Sequence, residues 1–252
     1  MAKKVVGVFC TLIIIIGLLH GCKKYVKEGN IPEAGIVLTF DDDRIDNWFT
    51  YLPLLDSLGI KATFYICKYH KFTAGQKKKL STIKSHGHEI AFHGANHRNL
   101  KDYIYKEGHS LEELIKYEVQ DELKLMNNDG FYPTAFAYPY GAHDQSIDLL
   151  LIGHFKSVRA LNGTKDFTKS IVPTKNNKVL FGLGIDKSSK RSDDDIMKVM
   201  ESVKNNNTCV VFVAHDINSN NKYSITLERL KGVADFVKAN NLKYYTASDI
   251  SN

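Results

Sequence analysis

The sequence has few cysteines, no dense cluster of basic residues and no apolar run long enough to cross a membrane. Of its 4 cysteines, only Cys67 and Cys209 lie beyond residue 22, and each stands at the edge of an apolar run. Cysteines in such places are typical of small buried side chains, so we expect free thiols in strands. A chain of 252 residues buries enough surface to be stable without disulfides.

The charge pattern argues against a nucleic-acid-binding protein. The formal net charge is +6, but the longest basic run is three lysines at 77–79, with no interleaved aromatic residues. Such a short run is typical of a solvated helix face rather than of a phosphate-binding stripe. We therefore expect no nucleic-acid partner.

The first 22 residues predict an export signal. Lys3 and Lys4 precede an apolar run over residues 5–19, which is shorter than the roughly 20 residues of a spanning helix and is typical of a secretory signal. The run leads into Leu19-His20-Gly21-Cys22, which resembles a bacterial lipobox, although His20 is unusual there. We expect an exported protein of the cell envelope, held at a membrane by lipid on Cys22. An uncleaved membrane anchor is the alternative.

The remaining chain divides into a short tether over residues 23–34 and one domain over 35–252. Eight short apolar runs in this domain alternate with amphipathic segments. The runs, rich in Val, Ile, Phe and Tyr, cover residues 36–40, 62–67, 89–92, 134–138, 155–160, 179–185, 209–214 and 243–246. Helices are predicted over about 46–58, 74–86, 111–127, 144–153, 193–205 and 224–239. This alternation predicts an α/β fold with a parallel sheet, either closed into a barrel or open and doubly wound.

Polar residues follow nearly every predicted strand. In chain order they are Asp41 with Asp42, His93 with His97, Pro139-Tyr140-Gly141, Asp186, and His215 with Asp216. The carboxyl ends of parallel strands meet at one edge of the sheet, where active sites of such folds lie. The pattern therefore predicts a single site at this edge.

Two histidines and a carboxylate in this set predict a metal site. His93 and His97 are four residues apart, a spacing that can direct both imidazoles at one ion. A catalytic zinc site needs three protein ligands and an open position. Of the adjacent carboxylates Asp41 and Asp42, one can bind the metal while the other accepts a proton from water. Because consecutive strand residues point to opposite faces, β-structure must lose its regularity there. Unrelated loop histidines and an Asp-rich helix cap are the alternatives.

Four motifs give the sequence a resemblance to a known family. They are Thr39-Phe40-Asp41-Asp42, His93-Gly94-Ala95-Asn96-His97, Pro139-Tyr140-Gly141 and Val213-Ala214-His215. In this order they resemble the motifs of the NodB-homology polysaccharide deacetylases, carbohydrate esterase family 4. The resemblance extends from about residue 35 to residue 249.

The resemblance implies a distorted (β/α)7-8 barrel that removes acetyl groups from a polysaccharide, either a glycan containing N-acetylglucosamine or acetylated xylan. It also implies a divalent metal, usually zinc, with Co²⁺, Ni²⁺ or Mn²⁺ as alternatives. By motif position, the implied metal ligands are Asp42, His93 and His97. The implied general base is Asp41, the implied general acid is His215, and the Tyr140 N–H, beside Pro139, is implied to stabilise the oxyanion.

The sequence departs from the family pattern at two places. Ala137 stands where the third motif usually has an arginine that pairs with the base, and Arg159, at the end of the next strand, is our candidate for its replacement. The Asp-and-Trp motif that tunes the acid is missing, and Asp186 is our candidate for its aspartate. Two other functions therefore remain open: a glycan-binding protein with little or no activity, and a non-haem iron enzyme built on two histidines and one carboxylate.

Overall fold

A computed structural model describes residues 33–173, 175 and 177–251 of the chain. The predicted export signal, the lipidation candidate Cys22 and residues 23–32 of the predicted tether lie outside these residues. Among the described helices, none combines the length and the apolar character needed to span a membrane.

Strands and helices alternate along the domain, as the pattern of apolar runs predicts. The strands are β1 (Gly35–Asp42), β2 (Ala62–Ile66), β3 (Glu89–Phe92), β4 (Ala135–Ala137), β5 (Ser157–Leu161), β6 (Ile171–Val172), β7 (Val179–Gly184), β8 (Cys209–Ala214), β9 (Asp216–Ile217), β10 (Ser224–Ile225) and β11 (Lys243–Tyr244). The helices are α1 (Ile45–Ser57), α2 (Ala74–Ser85), α3 (Leu100–Tyr105), α4 (Leu111–Glu113), α5 (Asp121–Asn128), α6 (Gln145–Ile152), α7 (Asp193–Asn206) and α8 (Leu227–Ala239).

Seven parallel strands close into a barrel. Their order is β1-β2-β3-β4-β5-β7-β8, and β8 pairs back onto β1 along six residues. The eighth predicted strand, β11, pairs only with the start of β1 and extends the sheet without entering the barrel. This architecture confirms the predicted (β/α)7-8 barrel. It directs the carboxyl end of each barrel strand to the same rim.

Two apolar clusters stabilise the barrel. The larger cluster lies between the strands and the surrounding helices and includes Trp48 and Phe64, which are fully buried. The smaller cluster holds alternate strand residues such as Val37, Tyr65 and Ala137. Small side chains dominate the second cluster, which leaves space inside the barrel for polar groups. Cys67 and Cys209 are buried and free, as predicted.

Helix boundaries follow local capping signals, with two departures from the prediction. Ser110 caps α4 in a capping box with Glu113, as the sequence indicates. The helix then passes through a π-helical segment, Leu114–Gln120, before it resumes as α5. The last predicted helix begins three residues later than expected, at Leu227 rather than 224, because Ser224 belongs to the short strand β10.

Candidate active site

The carboxyl end of β1 carries two aspartates that both face one cavity. Asp41 and Asp42 line this cavity together although they are consecutive residues. Asp42 has a φ angle of 92°, which breaks the alternation of the strand and redirects its side chain. The loss of regularity expected from the sequence is therefore observed. The alternative of an Asp-rich helix cap is wrong, because the residue before α1 is Arg44 and no side chain caps this helix.

Asp42, His93 and His97 form a group that could hold a metal ion. One ligand atom from each residue lies within 4.8 Å of the other two. The Nε2 atom of His97 is 3.1 Å from Oδ1 of Asp42, and that of His93 is 3.7 Å away. Burial raises the pKa of the Asp42 carboxyl, but the hydrogen bond from His97 and the nearby imidazoles outweigh it and hold this pKa below its usual value.

The protonation and orientation of His93 fit a metal ligand. Its Nδ1 atom lies 2.8 Å from the carbonyl oxygen of Ala137, so Nδ1 carries the proton in this bond and Nε2 keeps its lone pair for a cation. Burial lowers the pKa of His93 to about 4, which leaves the imidazole neutral near pH 7. Two imidazoles and one carboxylate are a donor set of catalytic zinc sites, so these residues fit a divalent metal.

The loop that carries His97 is held by Glu118 on the π-helical segment. The Glu118 carboxylate accepts hydrogen bonds from the backbone N–H of Asn96, at 3.0 Å, and from its side-chain amide, at 2.9 Å. The backbone carbonyl of Glu118 accepts from the N–H of Ala95, and Nε of Arg98 lies 3.2 Å from its carboxylate. This buried network supports a His97 backbone that is itself in the left-handed region, with a φ angle of 56°.

We expect Glu118→Ala to weaken metal binding without removing a ligand. The loop loses the acceptors that position His97, and loss of such outer partners typically lowers metal affinity about 10–100-fold. Titration of Zn²⁺ against a chromogenic chelator measures the change. Glu118→Gln keeps one acceptor oxygen and should recover part of the affinity. Glu112→Ala, on the exposed face of the same helical stretch, is the control, and equal Zn²⁺ affinity in all four proteins would refute the positioning role.

Arg159 forms a buried ion pair with Asp41. Its Nη2 atom lies 2.5 Å from Oδ2 of Asp41, and both side chains are almost fully buried. Arg159 on β5 is the direct register partner of Ala137 on β4. The guanidinium therefore comes from the strand position beside the one where the family has its arginine. Room for it comes from two small residues, because a Cβ at Gly182 would lie 3.0 Å from Cδ of Arg159, and Ala137 has only a methyl group.

His215 and Asp186 form a second ion pair at the rim. Nδ1 of His215 lies 2.8 Å from Oδ2 of Asp186. Burial opposes the charged form of His215, but the hydrogen bond that its Nδ1–H donates to Asp186 and the charges of Asp41 and Asp42 outweigh it and raise the pKa of the imidazole. Trp48 donates from Nε1 to the carbonyl of His215 at 2.7 Å, so this tryptophan packs beneath the site.

The third motif forms a strained turn above the site. Pro139, Tyr140 and Gly141 make a short 3-10 turn in which Tyr140 has a φ angle of 61°. Its ring lies 4.7 Å from that of His97. Among the described residues, the Tyr140 N–H donates no hydrogen bond outside this turn. Gly141 is required here, since a Cβ would lie 2.4 Å from Cβ of Leu161.

All these groups surround one cavity of about 520 Å³. Its lining includes Asp41, Asp42, His93, His97, Tyr140, Asp186 and His215. A cavity of this size is typical of a small-molecule or saccharide subsite. The predicted strand-end residues are therefore brought together, with Arg159 behind Asp41 and Pro139 in the turn. Asp216 is the exception, since it is buried but does not line the cavity.

Comparison with known proteins agrees with this geometry. The family model for polysaccharide deacetylases matches residues 28–152, which include Asp41, Asp42, His93, His97 and Tyr140. Residues 28–152 of the chain belong to the polysaccharide deacetylase family. Asp186 and His215, which lie beyond the matched segment, line the same cavity. No curated protein matches the chain.

Several solved structures share the deacetylase fold. The Xyl-CE4 domain of a multidomain xylanase from the hindgut metagenome of Trinervitermes trinervoides is 18% identical with a TM-score of 0.58, covering 86% of this chain and 89% of that one. Peptidoglycan deacetylase PdaC from Bacillus subtilis is 16% identical with a TM-score of 0.56, covering 88% and 91%. The chitin deacetylase of Colletotrichum lindemuthianum is 15% identical with a TM-score of 0.55, covering 88% and 89%. At these identities the likeness shows the fold.

Glu118 and its contacts under the His97 loop are not among the residues predicted from the sequence. A signal for it is present in the sequence. Glu118 stands among apolar residues of one helix face, beside Val119 and one turn after Leu114. A carboxylate on the buried face of an amphipathic helix needs a polar partner. Its position therefore indicates that Glu118 contacts polar groups of another segment.

Proposed function

We propose that this protein hydrolyses acetyl groups on a carbohydrate chain and depends on a divalent metal, usually zinc, held by Asp42, His93 and His97. The observation that carries this proposal is the cavity in which these three residues lie beside the Asp41–Arg159 and His215–Asp186 pairs. Amide hydrolysis needs an activated water, a polarised carbonyl and a proton for the leaving nitrogen. Each requirement corresponds to one of these groups.

Asp41 has the geometry of a general base. Arg159 holds its Oδ2 atom, whereas Oδ1 is buried without a hydrogen-bond partner among the described residues. One oxygen is thus oriented and the other is free to accept a proton from water as the water oxygen attacks the acetyl carbon. Asp42, His93 and His97 would hold a divalent cation beside this oxygen, and such a cation would supply Lewis-acid polarisation of the carbonyl and a lower pKa of the bound water.

His215 has the geometry of the acid that protonates the leaving group. Because Nδ1 faces Asp186, Nε2 is the ring nitrogen available to the cavity. When the carbon–nitrogen bond breaks, Nε2 delivers a proton to the departing amine, and acetate remains as the second product. Among the residues that the structure describes, the Tyr140 N–H has no partner outside its turn, which leaves it as our candidate donor to the developing oxyanion.

The pH profile tests the roles of His215 and Asp186. Burial lowers the pKa of His215 and the bond to Asp186 raises it above the ordinary value. Asp186→Asn removes the raising charge, so His215 loses its proton at a lower pH. We expect the alkaline limb of kcat/KM to move to lower pH, as measured by acetate release across the pH range. Ser188→Ala is the control, because it removes only a side-chain hydrogen bond to Oδ1 of Asp186 and should leave the alkaline limb in place. If the alkaline limb does not move in Asp186→Asn, His215 is not the acid that Asp186 tunes.

The experiment that tests the function is acetate release from defined glycans. Zinc-loaded protein is incubated with a tetramer of N-acetylglucosamine, with peptidoglycan and with acetylated xylan. We expect acetate from at least one of them and a loss of about 10²–10⁴-fold in Asp41→Asn, the range for a general base. Asp43→Asn is the matched control, because Asp43 pairs with Lys68 at 3.3 Å and does not line the cavity.

Two outcomes oppose this proposal. Folded, metal-loaded protein that binds these glycans but releases no acetate is a binding protein. Preferential iron content with 2-oxoglutarate turnover identifies a non-haem iron enzyme. The third motif has Ala137 in place of its arginine, and the Arg159–Asp41 pair supports activity because it supplies a guanidinium to Asp41 from the neighbouring strand.

A further inference from the structure

The carboxylates that line the cavity all have cationic or imidazole partners. Asp41 pairs with Arg159 at 2.5 Å. Asp42 contacts His97 at 3.1 Å, within the group that could bind a metal. Asp186 contacts His215 at 2.8 Å. The acidic groups of the cavity therefore have local compensation for their charge.

Arg191 also lines this cavity, but its charge is not compensated in this way. Among the described residues, its guanidinium forms no ion pair; the only hydrogen bond found for it runs from Nη2 to the carbonyl oxygen of Thr164, at 3.0 Å. Hydrogen bonds from Ser192 lower the pKa of Asp195 on α7, and the charge of Arg191 lowers it further, without an ion pair between the two side chains. An arginine has five N–H donors, so most of those of Arg191 remain for a ligand.

The structure holds Arg191 in place in advance of binding. Its backbone N–H donates to Oγ of Ser189 at 3.3 Å, and its backbone carbonyl accepts from Nη2 of Arg229 at 2.8 Å. The bond to Thr164 anchors the guanidinium from the loop that follows β5. A side chain fixed in this way loses less conformational entropy when it binds a ligand.

The other walls of the cavity suit sugar rings. Tyr140 and Tyr223 both line it, and their rings lie 4.7 Å from His97 and 5.4 Å from His215 respectively. Aromatic faces pack well against the apolar faces of other rings. A sugar between these tyrosines lies at the reacting groups, and Arg191 lines the same cavity.

We propose that Arg191 binds a carboxylate on the glycan, so that the preferred substrate is an acetylated saccharide carrying an acidic group close to the acetylated sugar. This inference rests on the proposed deacetylase function and deepens it. A planar guanidinium pairs with a carboxylate through two parallel hydrogen bonds, which fixes the sugar chain in one register. The carboxylate can belong to a uronic acid or to a lactyl ether on the sugar.

Three tetrasaccharides with N-acetyl groups test the proposal. The neutral one is the tetramer of N-acetylglucosamine. In the two acidic ones, N-acetylglucosamine alternates with glucuronic acid or with N-acetylmuramic acid. Affinity is measured by calorimetry on zinc-loaded protein, and kcat and KM by acetate release. For wild type we expect tighter binding of at least one acidic tetramer by about tenfold, and the difference should shrink as salt rises because the pair is partly exposed.

Variants of Arg191 locate the effect. Arg191→Gln should raise KM and Kd for the acidic tetramer about tenfold and leave the neutral tetramer within twofold, with kcat little changed. Arg191→Lys, which keeps the charge but not the planar pair, should fall between. Lys190→Gln is the matched control, since Lys190 is the exposed neighbour with the same charge and does not line the cavity.

The outcomes separate this inference from the proposed function. If wild type binds all three tetramers with equal affinity, or binds none of them, Arg191 does not have the proposed role. The same conclusion follows if Arg191→Gln loses equal affinity for the neutral and the acidic tetramers. Arg191-dependent binding of an acidic tetramer without any acetate release supports the inference and refutes the deacetylase function. A preference for only one acidic tetramer identifies which carboxylate is bound.

Discussion

Arg159→Met should lower the free energy of unfolding by roughly 3–5 kcal/mol, the cost of leaving a buried charge without its partner. Asp41 remains inside the barrel after this change and loses its only ion-pair partner among the described residues. We also expect acetate release to fall by about 100-fold, because Oδ2 of Asp41 is no longer held and the base is misplaced. Chemical denaturation followed by circular dichroism measures the stability, and acetate release measures the activity.

Two further variants separate the charge effect from a packing effect. Asp41→Asn combined with Arg159→Met removes both charges, so most of the lost stability should return while activity stays low. Ala137→Arg combined with Arg159→Ala moves the guanidinium to the register partner on β4. This swap should be more active than Arg159→Ala alone. If the uncharged double variant is as unstable as Arg159→Met, the stabilisation comes from packing against Tyr65, whose ring lies 5.1 Å from the guanidinium.

His93→Ala should abolish tight metal binding. Two ligands remain, and since even the loss of an outer partner weakens a metal site about 10–100-fold, we expect a larger loss here. Metal analysis of protein purified without added metal measures the content. Added Zn²⁺ should raise the melting temperature of wild type, because a ligand that binds only the folded state stabilises it, and should leave that of His93→Ala unchanged.

The control for this variant is His154→Ala, which removes an exposed histidine away from the cavity. It should keep both the metal content and the thermal shift of wild type. Full metal content together with full activity in His93→Ala would show that the metal, if one is used, is bound elsewhere.

Local sequence signals predict the barrel fold and most of the residues that line the candidate site. Alternating strand and helix patterns predict a parallel barrel because each buried strand needs a crossover helix to reach the next. The positions of Asp41, Asp42, His93, His97 and His215 after apolar runs predict one site, since parallel strands end at one rim. Export and lipidation at Cys22 stay predictions from the same kind of signal.

Only the tertiary structure decided which groups support these residues. Arg159 and Asp41 are 118 positions apart, and their contact depends on barrel closure, on the register of β4 with β5 and on the space left by Ala137 and Gly182. Glu118 and Arg191 act at the site from neighbouring segments for the same reason. Periodicity and spacing report on contacts within a few residues of the chain, whereas charge pairing inside the barrel is determined by distances that arise when the strands close.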